Sequence, residues 1–161
     1  MALRDDAKVD VLGYIGKLGS ITLAPETLIL SRPAALTADA SGKNTAVKVT
    51  MLDTASYAGT GVYKYDRIDL ANMVKLFAYA VPVGQANTLY DFIDRFKSLT
   101  GINVSRDDLD DSPVVENADG STTVLLRAKA TSLRFTGEGN LAIRGLPSIR
   151  TAFTSNTMLW S

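Results

Sequence analysis

The chain has 161 residues, 46% of them apolar and 21% charged, with 17 Lys plus Arg against 17 Asp plus Glu. One domain of this size buries roughly 70% of the surface its unfolded form exposes, and the balanced charge supplies no long-range positive field for nucleic acid or anionic lipid. With no cysteine and no histidine, disulfides, thiolate nucleophiles, imidazole bases and soft metal sites are excluded.

The first ten residues, Met1-Ala-Leu-Arg-Asp-Asp-Ala-Lys-Val-Asp10, are charged from Arg4 onward, where a secretory signal needs a continuous apolar stretch. The most apolar run, Leu76 to Val83, contains Pro82 and is far shorter than the roughly 20 residues of a membrane-spanning helix. The expectation is a soluble chain made in the cytoplasm.

The two halves of the chain align with each other. Leu18 and Ile21 match Leu99 and Ile102; further on, at an offset shorter by three residues, Ser41-Gly42 matches Asp119-Gly120, Thr45 matches Thr123, Tyr57 matches Phe135 and Gly59-Thr-Gly61 matches Gly137-Glu-Gly139. Each half then reads as a helix followed by antiparallel strands. Val11, Leu12, Ile15 and Leu18 form the first apolar helix stripe, weakened by Gly13 and Gly16, each of which costs up to about 1 kcal/mol of helix propensity. Ile21-Thr-Leu23 alternates like a short strand, and Pro25 with Glu26 starts a helical turn. Ser41-Gly42 is a turn before the strand Thr45 to Met51, and the Gly-x-Gly pair opens a last strand, Val62 to Tyr65.

Between the halves, Leu70, Met73, Val74 and Phe77 predict a connecting helix over Asp69 to Tyr79, ended near Val81-Pro82. In the second half Leu89, Phe92, Ile93, Phe96 and Leu99 make a helix stripe. Ile102-Asn-Val104 is the matching short strand, and Ser105 with Asp108 the matching helical start. Asp119-Gly120 turns into a strand over Thr122 to Ala130, and Asn140 to Ile143 closes the module. One conflict stands: the constant offset places Val47, Val49 and Met51 opposite Leu125, Arg127 and Lys129, although Val124, Leu126, Ala128 and Ala130 are the natural buried set. A one-residue slip reverses every side chain, so the expectation is a bulge before Gly137 or a slip of the alignment.

Candidate sites are few. Gly59-Thr-Gly61 and Gly137-Glu-Gly139 lack the full phosphate-loop patterns and read as tight turns or bulges. Asp107, Asp108, Asp110 and Asp111 could attract a hard cation, but no calcium-loop spacing is present and a solvated helix start explains them. Tyr57, Tyr63 and Tyr65 could form an aromatic platform for a sugar or base, with packing as the plainer use. No serine elbow, Ser-x-x-Lys or paired-carboxylate signature occurs, so no catalytic, cofactor-binding or metal residues are assigned. The last stretch, Leu146 to Ser161, carries Phe153, Met158, Leu159 and Trp160 with almost no charge. It either closes this chain's own sheet or acts as an arm that adds to a neighbour's sheet edge, those four residues being the expected assembly interface.

Two strings carry a resemblance. Gly42-Lys-Asn-Thr-Ala-Val-Lys-Val-Thr50, followed by Ser56-Tyr-Ala-Gly-Thr-Gly-Val-Tyr-Lys-Tyr-Asp-Arg-Ile-Asp-Leu70, resembles a repeat module of virion structural proteins of large contractile-tailed bacteriophages. The second half matches only in its helix, turn and Gly-x-Gly, with Ile143-Arg-Gly-Leu146 in place of Tyr65-Asp-Arg-Ile-Asp-Leu70. The resemblance implies no catalytic residues.

The expected protein is α+β: a first module over 1–84 with its connecting helix, a related second module over 85–145, and a carboxyl-terminal arm or closing strand over 146–161. The expected function is that of a non-enzymatic structural subunit of a tailed phage particle, in the head, neck, tail or baseplate. It would have no cofactor, nucleic acid or membrane partner and would assemble with other virion proteins and copies of itself. The alternative is a glycan-binding decoration or fibre domain using Tyr63 and Tyr65.

Overall fold

The computed structural model describes residues 6–19, 22, 24–37, 39–52, 58–77 and 80–145. In chain order these form α1 (Asp6–Gly19), a 3-10 turn at Pro25–Thr27, β1 (Leu28–Leu30), β2 (Ala34–Ala35), β3 (Thr45–Met51), β4 (Gly59–Tyr65) and β5 (Ile68–Asp69). Then come α2 (Leu70–Met73), a 3-10 turn at Val74–Leu76, β6 (Val81–Pro82), a 3-10 turn at Leu89–Asp91, α3 (Ile93–Thr100), β7 (Val114–Glu116), β8 (Thr122–Arg127), β9 (Phe135–Thr136) and β10 (Glu138–Arg144). This is an α+β fold dominated by antiparallel pairing. Its two compact units are Met1–Asp69 with Ala128–Gly137, and Leu70–Arg127 with Glu138–Ser161.

In the first unit β3 is the central strand. β1 pairs antiparallel with its carboxyl half and β2 with its amino end, while β4 pairs along its whole other side. The period of two turns Val47 and Tyr65 inward, where they join Val11 of α1 and Leu133, with Ile15, Leu30, Val49 and Tyr63 packed around them. Burying such side chains contributes roughly 1.5–3 kcal/mol each, and this contact offsets the glycines of α1. Leu133 comes from the 128–137 segment, which is tied in by β9 running parallel to β5 and by Arg134 pairing with Asp10 at 2.6 Å.

The second unit repeats the lane order: β7, then β8, then β10, with β6 added in parallel on the far edge of β10. Val47 faces Tyr63 in one hairpin and Val124 faces Leu141 in the other. These two pairs occupy equivalent places, which requires one extra residue in the connection from β8 to β10. That extra residue removes the register conflict: Val47 and Val124 are both buried, as are Tyr65 and Ile143.

Several elements differ from expectation. The Leu89, Phe92, Ile93 and Phe96 stripe is buried, but Leu99 is 49% exposed, because the helix stops at Thr100 on a left-handed Gly101 at φ 69°. The capping box between Thr88 and Asp91 starts not this helix but the 3-10 turn Leu89–Asp91 before it, where Asp91 Oδ2 accepts the Thr88 N–H at 2.9 Å. Ile102 to Val104 is not a strand; the Val104 N–H folds back to the Ile102 carbonyl at 2.9 Å. Ser105 and Asp108 close a turn rather than a helix. The connecting helix is short, α2 tightening into a 3-10 turn after Met73 and ending at an extended Phe77, whose ring packs on Phe96 with centroids 5.7 Å apart. β8 ends at Arg127, before the expected Ala130. Ile21, Leu23, Tyr57 and the 146–161 segment lie outside the described residues.

Candidate interaction surface

The two strings quoted for the resemblance meet each other. The Asn44 side chain donates from Nδ2 to the Arg67 carbonyl at 2.8 Å and accepts the Arg67 N–H at Oδ1, also at 2.8 Å. Thr45 Oγ1 donates to the same Oδ1 at 2.7 Å, and Arg67 Nε donates to Thr45 Oγ1 at 2.9 Å. One residue back, Asp66 takes Lys43 Nζ at 2.8 Å and the Asn44 N–H at 3.1 Å. The Lys43 ammonium holds the Asp66 carboxyl below its ordinary value, and Asp66 raises Lys43 in return.

Arg67 is 9% exposed. Its Nη1 donates to the carbonyls of Ser132 and Phe135 at 3.2 and 3.3 Å, so a guanidinium held over 42–45 fastens the 128–137 segment. Burial pulls its pKa down, while a guanidinium stays charged in proteins. Sequence reading carried Asn44 and Arg67 only as motif letters. The available signal is the Asp66-Arg67 pair, which has no second-half counterpart where Ile143-Arg-Gly-Leu146 replaces the string.

The tyrosines are turned inward. Tyr65 is 7% exposed and Tyr63 half-buried; their rings stack with centroids 6.3 Å apart, and Tyr14 of α1 meets Tyr63 edge-on at 6.0 Å. Burial raises both phenols above their ordinary pKa, and among the described residues neither hydroxyl has a hydrogen-bond partner. Two of the four clustered acids are engaged locally. Asp108 is buried and accepts from Ser105 N and Oγ at 3.1 and 2.9 Å, so it is not the solvated acid expected, and Asp111 accepts from the N–H groups of Tyr90 and Ser112. Among the described residues no three carboxylates come together as a metal site.

The two Gly-x-Gly pairs do different work. A Cβ on Gly139 would lie 2.9 Å from the Leu70 carbonyl and from Val74 Cγ2, and one on Gly137 would lie 2.8 Å from Asp69 Oδ1. Glycine there permits close approach. Gly59 has φ +126°, which favours glycine, but Gly61 has neither positive φ nor, among the described residues, any atom within 4 Å of an added Cβ.

What remains open is β4. No described strand pairs with its outer edge, and its residues from Gly59 to Val62 are all exposed, Val62 to 68%. On the α1 side, Gly59, Gly61, Ile15, Leu28, Val49 and Met51 are among the residues lining an apolar groove of about 290 Å³. The expected interface residues Phe153, Met158, Leu159 and Trp160 lie outside the described residues. No described helix is long and apolar enough to cross a membrane.

No curated protein and no solved structure matches the chain. A family of unknown function (DUF7941) matches residues 16–159, which take in the 42–50 and 56–70 strings, β4 and its groove except Ile15, and the chain belongs to that family.

Proposed function

We propose that this protein is a non-enzymatic structural component of a tailed bacteriophage particle, acting through assembly with other virion proteins and with copies of itself. The particle assignment is supported by the similarity of residues 42–50 and 56–70 to a virion module. The assembly role is supported chiefly by β4, a seven-residue edge strand beside an apolar groove. An unpaired strand edge is a template for another chain unless the protein guards it.

The perturbed carboxylates fit this reading, because each is accounted for by a cap, turn or ion pair. Lys64 holds Asp39 down to about 2, the N–H groups of Thr88 and Asn87 lower Asp91, and Ser121 lowers Asp119. Shifted groups gathered in a cleft would point to chemistry instead. Light scattering across a concentration series of the full chain tests the reading. Defined oligomers are expected; a monomer at every concentration contradicts it.

A further inference from the structure

We propose that β4 is the self-association edge of this chain: two copies join their β4 strands antiparallel about a twofold axis passing between the two Val62 residues. This rests on the reading of the chain as an assembly subunit and names the surface and the partner.

Four observations carry it. First, β10 fills in the second unit the lane that β4 fills in the first, and its outer edge is paired with β6, whereas no described strand pairs with the outer edge of β4. Second, β4 itself carries little to guard its edge. β4 has no proline, and its one charge, Lys64, is paired with Asp39 at 2.8 Å.

Third, the strand is self-complementary. About Val62, the sequence Gly59-Thr-Gly-Val-Tyr-Lys-Tyr65 sets Tyr63 opposite Gly61 of the second copy, Tyr65 opposite Gly59, Lys64 opposite Thr60 and Val62 opposite Val62. Tyr63, the half-buried one of the two tyrosines, then lies beside a glycine, the arrangement by which an aromatic side chain covers an edge glycine, and no like charges are opposed. Any register that placed Lys64 opposite Lys64 would carry that penalty. Fourth, among the described residues nothing requires glycine at position 61, as neither its φ nor any described neighbour demands it. A bare strand position of that kind marks where another chain approaches, and the apolar groove beside it lies open to the incoming strand. A closed, isologous pair is the commonest symmetry for such a contact.

The test uses the full chain with Val62 replaced, since that side chain is largely outside the fold. Val62→Lys and Val62→Glu, each alone, oppose like charges at the axis and are expected to weaken self-association by roughly a hundredfold. Mixing the two restores it as a heterodimer. Val62→Cys, in a chain with no other cysteine, is expected to form a disulfide-linked pair under mild oxidation, because directly opposite strand residues come within about 5 Å at Cβ. This readout holds even if the charged variants fold poorly.

Oligomers that survive both charged variants and give no Val62→Cys cross-link overturn the β4 joint while leaving the assembly reading intact. If deletion of residues 146–161 alone dissociates them, the occupant is the carboxyl-terminal segment. A wild-type chain that stays monomeric overturns both.

Discussion

Asn44 and Arg67 grip each other through two hydrogen bonds of 2.8 Å, one in each direction between the Asn44 side chain and the Arg67 backbone. The arrangement fixes the chain as it leaves β4 and aims the Arg67 guanidinium at the Ser132 and Phe135 carbonyls. Two short strings thus become one joint through residues 23 positions apart, and a third segment is fastened to it.

Replacing Asn44 with Ala leaves the Arg67 N–H and carbonyl without their partner. The expected cost is about 2–3 kcal/mol, since an unsatisfied buried group costs roughly 1–3 kcal/mol. Urea unfolding measures it as a lower midpoint with an unchanged slope. An Asn44→Ala chain as stable as wild type would show that water replaces the amide without loss.

Arg67→Met keeps the unbranched stem of the side chain and removes its three donated bonds. Destabilisation of about 2–4 kcal/mol is expected, on the same cost per unsatisfied buried acceptor. Arg67→Lys is expected to recover little of it, because one ammonium on a flexible stem cannot serve the Thr45 hydroxyl and two separate carbonyls as a planar fork does. Thermal unfolding of the three chains checks the order, and full rescue by lysine would mean that charge alone matters.

The Gly-x-Gly pairs separate by substitution. Gly139→Ala drives a Cβ to 2.9 Å from the Leu70 carbonyl and is expected to destabilise the protein by about 1–3 kcal/mol, the usual cost of overpacking. Gly61→Ala meets nothing and is expected to be neutral or to stabilise by about 0.4–1 kcal/mol through the unfolded chain. Calorimetry on both variants at a concentration where the chain is monomeric reads the contrast directly.

The Asp39–Lys64 pair gives a pH dependence of known sign. Lys64 and Ser41 hydrogen bonds depress the folded-state pKa of Asp39 from 3.8 to about 2, so the charged carboxylate supports the fold above the unfolded value. That support is lost as pH falls through the interval from 3.8 to about 2. The pair lies at the surface, so the effect is small and screened by salt. The stability difference between wild type and Asp39→Asn is expected to shrink across that interval in low salt. A difference that is constant with pH would remove Asp39 from the account.

Much of the fold is legible where a period meets a turn signal. Thr45 to Met51 is β3 residue for residue, and the Leu89 to Phe96 stripe is buried as its spacing requires. What escapes the sequence is decided by tertiary contact. Leu99 fits the stripe but falls beyond the buried span of a helix ended by Gly101, and Phe77 leaves its helix to pack on Phe96. The conflict of register between the halves was visible as a conflict; its cause, one extra residue between β8 and β10, appears only from the strand pairing. The candidate surface was half legible. An open sheet edge is expected from the number of strands, and among the described residues that edge is β4; alternation alone does not reveal which strand lacks a neighbour, and the Phe153 to Trp160 stretch lies outside the described residues.

Amide hydrogen exchange along β4, followed as protein concentration rises, tests the central claim most directly. If β4 joins a second copy, exchange between Gly59 and Tyr65 slows as the oligomer forms and stays fast in Val62→Lys at the same concentrations. Exchange in β4 that ignores concentration, in a chain shown to associate, would place the joint elsewhere.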